Sequence, residues 1–310
     1  MSPPLARLAA SAAALLALAG TAVAETGTAP PSATCSTIDQ KFATLLSPNS
    51  RALSELLFDA ADNGCLDLAR RLLDGGAIAG AANQVGNSAL TLAARAGEQA
   101  VAELLLARGA PIDHRNLAGV TPLLAAVTAN RRKMVAFLLE RGADIAIPDD
   151  NGVTPLAAAA FNGDNRTLER LLERGAAPRT VDRTGKAPIA YAAARGFASI
   201  VQRLLDAGVP VNERYGHDLT ALAWAAGHAN DAPVEDGLAT VTLLLDRGAD
   251  QDMADDRGRT PLMIAAERGH AEIVTLLLSR GGDPARRDRE GKTALDLAGN
   301  ADVAAALGHP

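Results

Sequence analysis

Residues 119–142 read GVTPLLAAVTANRRKMVAFLLERG, and this stretch decides the fold. Thr121-Pro122 is a helix start: a threonine oxygen can cap free amide groups, and proline is tolerated at the first helical position. The short helix predicted over 122–129 offers Leu123 and Ala126 on one face. A second helix over about 131–140 places Val135, Leu138 and Leu139 at spacings of three and four. Gly142 then supplies a left-handed C-terminal cap, and Asp149-Asp150-Asn151-Gly152 is turn chemistry that starts a new unit. Two helices this short cannot bury their apolar face alone, so neighbouring units must stack on them.

Those neighbours are present at a fixed period. Gly86, Gly119, Gly152 and Gly185 are 33 residues apart; Asp218 takes the glycine's place next, then Gly258 follows after 40 residues and Gly291 after 33 more. The glycines that close each Leu-rich stretch (Gly76, Gly109, Gly142, Gly175, Gly208, Gly248, Gly281) keep the same spacing and the same single interval of 40. Small pairs at 93–94, 159–160, 192–193, 225–226 and 265–266 let helices approach closely.

The repeated Thr-Pro-Leu at 121–123, 154–156 and 260–262 carries a family resemblance. In the last of these, Ala265-Ala266, Gly269-His270, Ile273-Val274, Leu276-Leu277-Leu278 and Gly281 follow. Over about residues 50–308 the chain resembles the ankyrin repeat, whose period and signature these are. The resemblance implies an all-α solenoid of helix-turn-helix units joined by β-hairpin-like loops, starting near 50, 83, 116, 149, 182, 215, 255 and 288. The first unit, polar and without Thr-Pro, is the N-terminal cap. The last, with Thr293-Ala294-Leu295-Asp296-Leu297, is the C-terminal cap, expected to be short in its second helix. One departure runs throughout: the histidine that follows Thr-Pro-Leu in the family is replaced by Thr91, Leu124, Ala157, Ala190, Ala223 and Met263. Looser polar bonding between units is the expectation. His270 sits at the family's Gly-His position and reads as structural.

Residues 1–24 form a segment apart: Arg7, an apolar run of Leu8 to about Ala19, then Ala22-Val23-Ala24. This reads as a secretory signal peptide, the apolar run being too short to span a bilayer. Residues 25–49 are a lead-in, Pro-bearing at 25–34, with a short helix possible at 36–46. The expectation is an exported chain, periplasmic in a bacterium or else secreted, with no membrane insertion after cleavage. In that setting Cys35 and Cys65 read first as a disulfide, which would pin the lead-in onto the first unit. Two free buried thiols are one alternative; a reactive thiol is the other, with no nearby His or Cys-x-x-Cys spacing to lower its pKa.

Composition excludes several classes. Of 310 residues 48% are hydrophobic and 21% charged, which rules out wholesale disorder. A net charge of −6 argues against nucleic acid as partner. Arg286 occupies the glycine position that Gly291-Lys292-Thr293 would need for a phosphate loop. There is no G-x-S-x-G elbow, and the five histidines fit no zinc spacing. No cofactor, metal or catalytic residue is implied. Arg131-Arg132-Lys133 reads as solvated surface, and Trp224 and Tyr191, at one repeat position in adjacent units, read as core.

What remains is a surface. In the family the hairpin tips and first-helix ends line a groove that grips partner proteins, and the resemblance implies the same here. The matching tip positions are Val85, Leu117, Val120, Asp150, Asn151, Val153, Arg183, Lys186 and Arg257; the helix-end positions are Phe161, Asn162, Arg195, His228 and Arg268. Apolar tips in units two to four, Phe161 at a position that is usually polar, and an arginine rim have the make-up of a protein hot spot. A seven-residue insertion within about 229–236 lengthens the turn between the helices of unit six. The reading is a monomeric, non-catalytic, protein-binding module. The alternatives are a periplasmic inhibitor or immunity-type protein holding a toxin or exported enzyme, for which the acidic net charge would suit a basic target, and a host-directed effector, against which a secretory signal counts.

Overall fold

A computed structural model describes residues 33–45, 48–228 and 233–308. The segment read as a signal peptide lies outside the described residues. Within them are sixteen α-helices and, in place of a sheet, one isolated bridge between Ala82 and Ser88.

Helix α1 (Ala33–Ala43) precedes the first unit, formed by α2 (Ser50–Asp62) and α3 (Leu66–Asp74). The next three units are α4 (Ala89–Ala96) with α5 (Gln99–Ala107), α6 (Pro122–Thr128) with α7 (Arg132–Glu140), and α8 (Pro155–Phe161) with α9 (Asn165–Glu173). Then come α10 (Pro188–Ala194) with α11 (Ala198–Asp206), α12 (Ala221–Ala226) with α13 (Val234–Asp246), and α14 (Pro261–Arg268) with α15 (Ala271–Ser279). The last unit contains α16 (Ala301–Gly308). First helices pack on first helices and second helices on second helices along the series.

The local chemistry explains each start and stop. Ser88, Thr121, Thr154, Thr220 and Thr260 each accept a hydrogen bond from the amide three residues on, at 3.1–3.4 Å. Ala187 heads α10 without such a cap. Gly142 has φ +85°, the left-handed conformation that lets the chain leave α7. The small pairs are sealed: Ala93, Ala94, Ala159, Ala160, Ala192 and Ala193 are fully buried. Leu123, Leu138, Leu171 and Leu204 fill the space between the two helix layers, also fully buried.

Several expectations need correction. In the last unit it is the first helix that is reduced, residues 294–297 forming a turn, while α16 supplies the second. The insertion in unit six does not simply lengthen a turn. Helix α13 has 13 residues where α11 and α15 have 9, so four added residues form an extra helical turn at its start; residues 229–232 lie outside the described residues.

Polar bonding between units is not sparse either. Arginines in or just after the last turn of second helices reach back to carboxylates on the second helix of the preceding unit, or on α1 for the first: Arg71 to Asp39 (2.6 Å), Arg108 to Asp74 (2.9 Å), Arg141 to Glu103 (2.6 Å), Arg203 to Glu169 (2.5 Å), Arg247 to Asp206 (2.8 Å) and Arg280 to Asp246 (2.8 Å). Each pair is exposed, where solvent screening leaves a single bond little weight. Nor are Arg131 and Arg132 merely solvated. Arg131 donates to the Arg95 carbonyl at 2.9 Å, and Arg132 pairs with the buried Asp164 at 2.8 Å.

A disulfide joins Cys35 to Cys65, with Cα atoms 5.6 Å apart, and so ties α1 to the start of α3.

Candidate protein-binding groove

Between successive units the chain makes a tight hairpin whose geometry follows from one side chain. Asn83, Asn116, Asp149, Asp182, Asp255 and Asp288 open the hairpins, and each side-chain oxygen accepts the amides two and four residues on. This is the Asx bond that favours Asn and Asp in turns. Tyr215 stands at the corresponding place in unit six, where His217 and Asp218 take left-handed conformations with φ of +63° and +59°. Gly119 is required at its tip: φ is +77° there, and a Cβ would lie 2.5–2.7 Å from atoms of Asp150 and Arg115. Adjacent tips are joined by backbone bonds, Leu117 N to Val85 O at 3.2 Å, Asp150 N to Ala118 O at 2.9 Å and Arg183 N to Asn151 O at 2.8 Å.

This ladder holds the tip residues outward. Leu117 is 75% exposed, Val85 57% and Phe161 46%; Val120 and Val153 are half-buried. Leu124, Val120, Val153, Phe161 and Tyr191 line one concavity of about 680 Å³ that runs across units two to five. Its walls are mostly apolar. A second concavity of about 650 Å³, lined by Leu219, Trp224, Ile264, Arg257, Arg268 and Arg289, lies along units six to eight.

The aromatic residues sit where these concavities meet. Phe161 and Tyr191 pack edge to face with ring centroids 5.8 Å apart. Lys186 Nζ lies 5.7 Å from the Tyr191 ring and 5.3 Å from the Trp224 ring. Tyr191 donates its hydroxyl proton to Asp182. Burial first, then this bond and the Asp182 charge, raise the Tyr191 phenol. Burial pushes the Asp182 carboxyl up, but the bonds from Tyr191, Thr184 and Lys186 outweigh it and hold the group below the usual carboxylate range.

Tyr191 and Trp224 are therefore only partly core, Trp224 packing against the core cluster from the groove side. Both are half-buried, and the position they share is the groove floor, occupied by Leu92, Ala125, Ala158 and Ile264 in other units. A small residue there is covered; a ring stands up into the groove.

Of the other positions, Asp150 is engaged by Arg115 at 3.1 Å. Asn162 donates to the Val127 and Thr128 carbonyls at 2.9 and 3.2 Å, so it is tied to the preceding unit. Asn151 and Arg183 are exposed at their tips. Arg195 lies over Phe161 at 4.9 Å and over Phe197 at 5.6 Å. Arg257 and Arg268 line the second concavity.

His228 departs from expectation: it is 2% exposed and cannot meet a partner. The extra turn of α13 covers it, with Gly237 so close that a Cβ there would lie 3.0 Å from the imidazole. Its ring packs against His270 at 4.2 Å, neither of its nitrogens has a hydrogen-bond partner among the described residues, and His270 contacts its carbonyl at 3.2 Å. Burial first, and then the His270 charge, hold His228 below its ordinary value. Among the described residues no group of three His, Cys, Asp or Glu could hold a metal ion, and no helix is long and apolar enough to cross a membrane.

The hairpin staples were not read from the sequence, although an Asn or Asp recurs at the first position of six units. The arginine pairs of the outer helices were also missed; their signal was an Arg near the end of each Leu-rich stretch with an acidic residue about one period earlier.

Comparison with known proteins agrees with the geometry. The family model described as ankyrin repeats, in three copies, matches residues 57–149, 156–234 and 232–309. No curated protein matches the chain. The repeating hairpin, the two helix layers and a family match over most of the length lead to one conclusion: the chain belongs to the ankyrin-repeat family.

Proposed function

We propose that the chain is a non-catalytic protein-binding module that is exported and holds a partner protein in the groove formed by its hairpin tips and first helices. Ankyrin repeats are in general protein-interaction modules, and the groove reading narrows this to one face. The observation that carries it is the apolar concavity of about 680 Å³ across units two to five, with Phe161 at its wall and Leu117 standing 75% exposed at a neighbouring tip. Exposed apolar surface gathered in one place marks an interaction site. Export is supported by residues 1–24 and by the Cys35–Cys65 bond, since disulfides persist in oxidising compartments. The partner would be held by a monomer and without a cofactor.

The test is crosslinking in living cells followed by capture of the mature protein and mass spectrometry, with wild type beside Phe161→Glu/Val120→Asp. The double variant puts two carboxylates against apolar walls. One dominant partner lost in the variant supports the groove; equal recovery by both proteins places binding elsewhere.

A further inference from the structure

Charge is distributed differently on the two faces of the stack. On the outer face, six arginines at second-helix ends are paired with carboxylates at 2.5–2.9 Å. From unit five onward the groove carries cations without such partners. The Arg183, Arg268 and Arg289 side chains meet no carboxylate within 4 Å among the described residues, and Arg257 lies 3.8 Å from Asp255. Lys186 and Arg195 lie over aromatic rings and form no ion pair among the described residues. Arg195 Nε and Trp224 Nε1 are buried and have no acceptor among the described residues.

The carboxylates along the same stretch are mostly engaged. Asp182 accepts from Thr184, Lys186 and Tyr191, Asp255 from the Arg257 and Arg259 amides, Asp256 meets His217 Nδ1 at 2.9 Å, and Glu267 meets Arg259 at 2.6 Å. Asp218 at a tip, and Glu235 and Asp236 in the added turn of α13 beside His228, are acidic side chains without an ion-pair partner among the described residues. What sets this face apart from the outer one, whatever the −6 of the whole chain, is that Arg183, Lys186, Arg195, Arg268 and Arg289 are not held in ion pairs among the described residues.

We infer that the groove takes a segment of a partner protein in which apolar side chains adjoin a run of Asp or Glu. This rests on the groove reading above and specifies the partner's chemistry. The apolar residues occupy the concavity of units two to five. The carboxylates meet Arg195 and Lys186 at its edge and then Arg257 and Arg268 in the second concavity. The two halves are continuous, because Lys186 lies over Tyr191 of the first and Trp224 of the second. Arg195 is already held between two phenylalanine rings, so its planar fork is pre-oriented for a carboxylate. The inference reverses what net charge alone suggested, a basic target. A nucleic-acid strand is disfavoured because the adjoining half has apolar walls and its Arg95 is engaged by Asp62 at 2.9 Å.

The test is fluorescence anisotropy of the full chain with three labelled 16-residue peptides sharing two leucines and a phenylalanine at one end. The other end carries five glutamates, five serines or five lysines; a 16-nucleotide oligothymidylate is the fourth probe. The glutamate peptide should bind at least about tenfold tighter than the serine peptide in 50 mM salt and lose most of that advantage in 500 mM, and the lysine peptide should not bind. In Arg195→Glu/Arg268→Glu the order should reverse, a gain of lysine-peptide binding that an unfolded variant could not show. Lys186→Gln should weaken the glutamate peptide alone. Equal binding of the three peptides, an unreversed order, binding of none, or tighter binding of the oligonucleotide would each overturn the inference. A partner lost in Phe161→Glu/Val120→Asp while the peptides fail to discriminate charge would keep the groove and discard the acidic segment.

Discussion

Reducing the Cys35–Cys65 bond tests how the N-terminal helix is held. The bond closes a separation of 30 residues, which the chain-entropy treatment values at about 3.5 kcal/mol. The other anchors of α1 are few. Ile38 is 4% exposed, and burying such a side chain contributes about 1.5–3 kcal/mol. Asp39 pairs with Arg71 at 2.6 Å on the surface, adding up to about 1 kcal/mol. Phe42 is half-buried under the Arg71 guanidinium, 5.7 Å away. The covalent link therefore matches everything else that holds α1. Hydrogen exchange read by mass spectrometry, oxidised against reduced and with Cys35→Ala/Cys65→Ala, should show α1 amides exchanging roughly 300-fold faster once the link is gone. Units four to seven should be unchanged, because each repeat contacts only its neighbours. Unchanged α1 protection, or an equal loss along the whole series, would refute this account of the cap.

Three further outcomes are expected. Leu138→Ala, at a fully buried site between the helix layers, should cost about 2–5 kcal/mol in urea unfolding; a loss below 1 kcal/mol would contradict the packing described. Ala187→Ser should add the missing cap of α10 and raise stability by up to about 1 kcal/mol, seen as a higher urea midpoint. Stability should also fall in mild acid because of the His228–His270 pair. Burial holds both rings below 6.5; His270 pushes His228 further down and Asp236 opposes weakly, while for His270 the His228 carbonyl and Glu272 oppose and Arg268 adds. The unfolded chain then binds more protons below pH 6.5, so this stability is fully present above 6.5 and is lost as pH falls beneath it. Urea midpoints between pH 7.5 and 5 should show a smaller loss in His228→Leu than in wild type; equal slopes would sink the assignment.

The architecture was legible because two independent markers kept one register: the hairpin glycines and the glycines after each second helix. Repeat boundaries, the helix starts at Thr-Pro and the exposed tips at Val85 and Leu117 follow from local chemistry that tertiary context does not override. The groove residues were less legible where exposure depends on a neighbour. His228 shares its repeat position with Arg195 and Arg268, and nothing local shows that an added turn of α13 covers it; Gly237 inside that helix was the available signal. Tyr191 and Trp224 were misread for the opposite reason. A floor position that hides alanine in units three and four cannot hide an indole or a phenol. The groove cations that lack ion-pair partners were invisible to composition, because they emerge only once the outer arginines are seen to be paired.

The central claim, that the groove and not the outer face holds the partner, is tested most directly by photocrosslinking from single positions in living cells. A benzophenone side chain would replace Leu117, 75% exposed at a tip, or Thr275, exposed on the outer helix α15. A discrete crosslinked protein from position 117, absent from position 275 and lost when Phe161→Glu is added, is the predicted result. The same protein captured from position 275 and not from 117 would contradict the account.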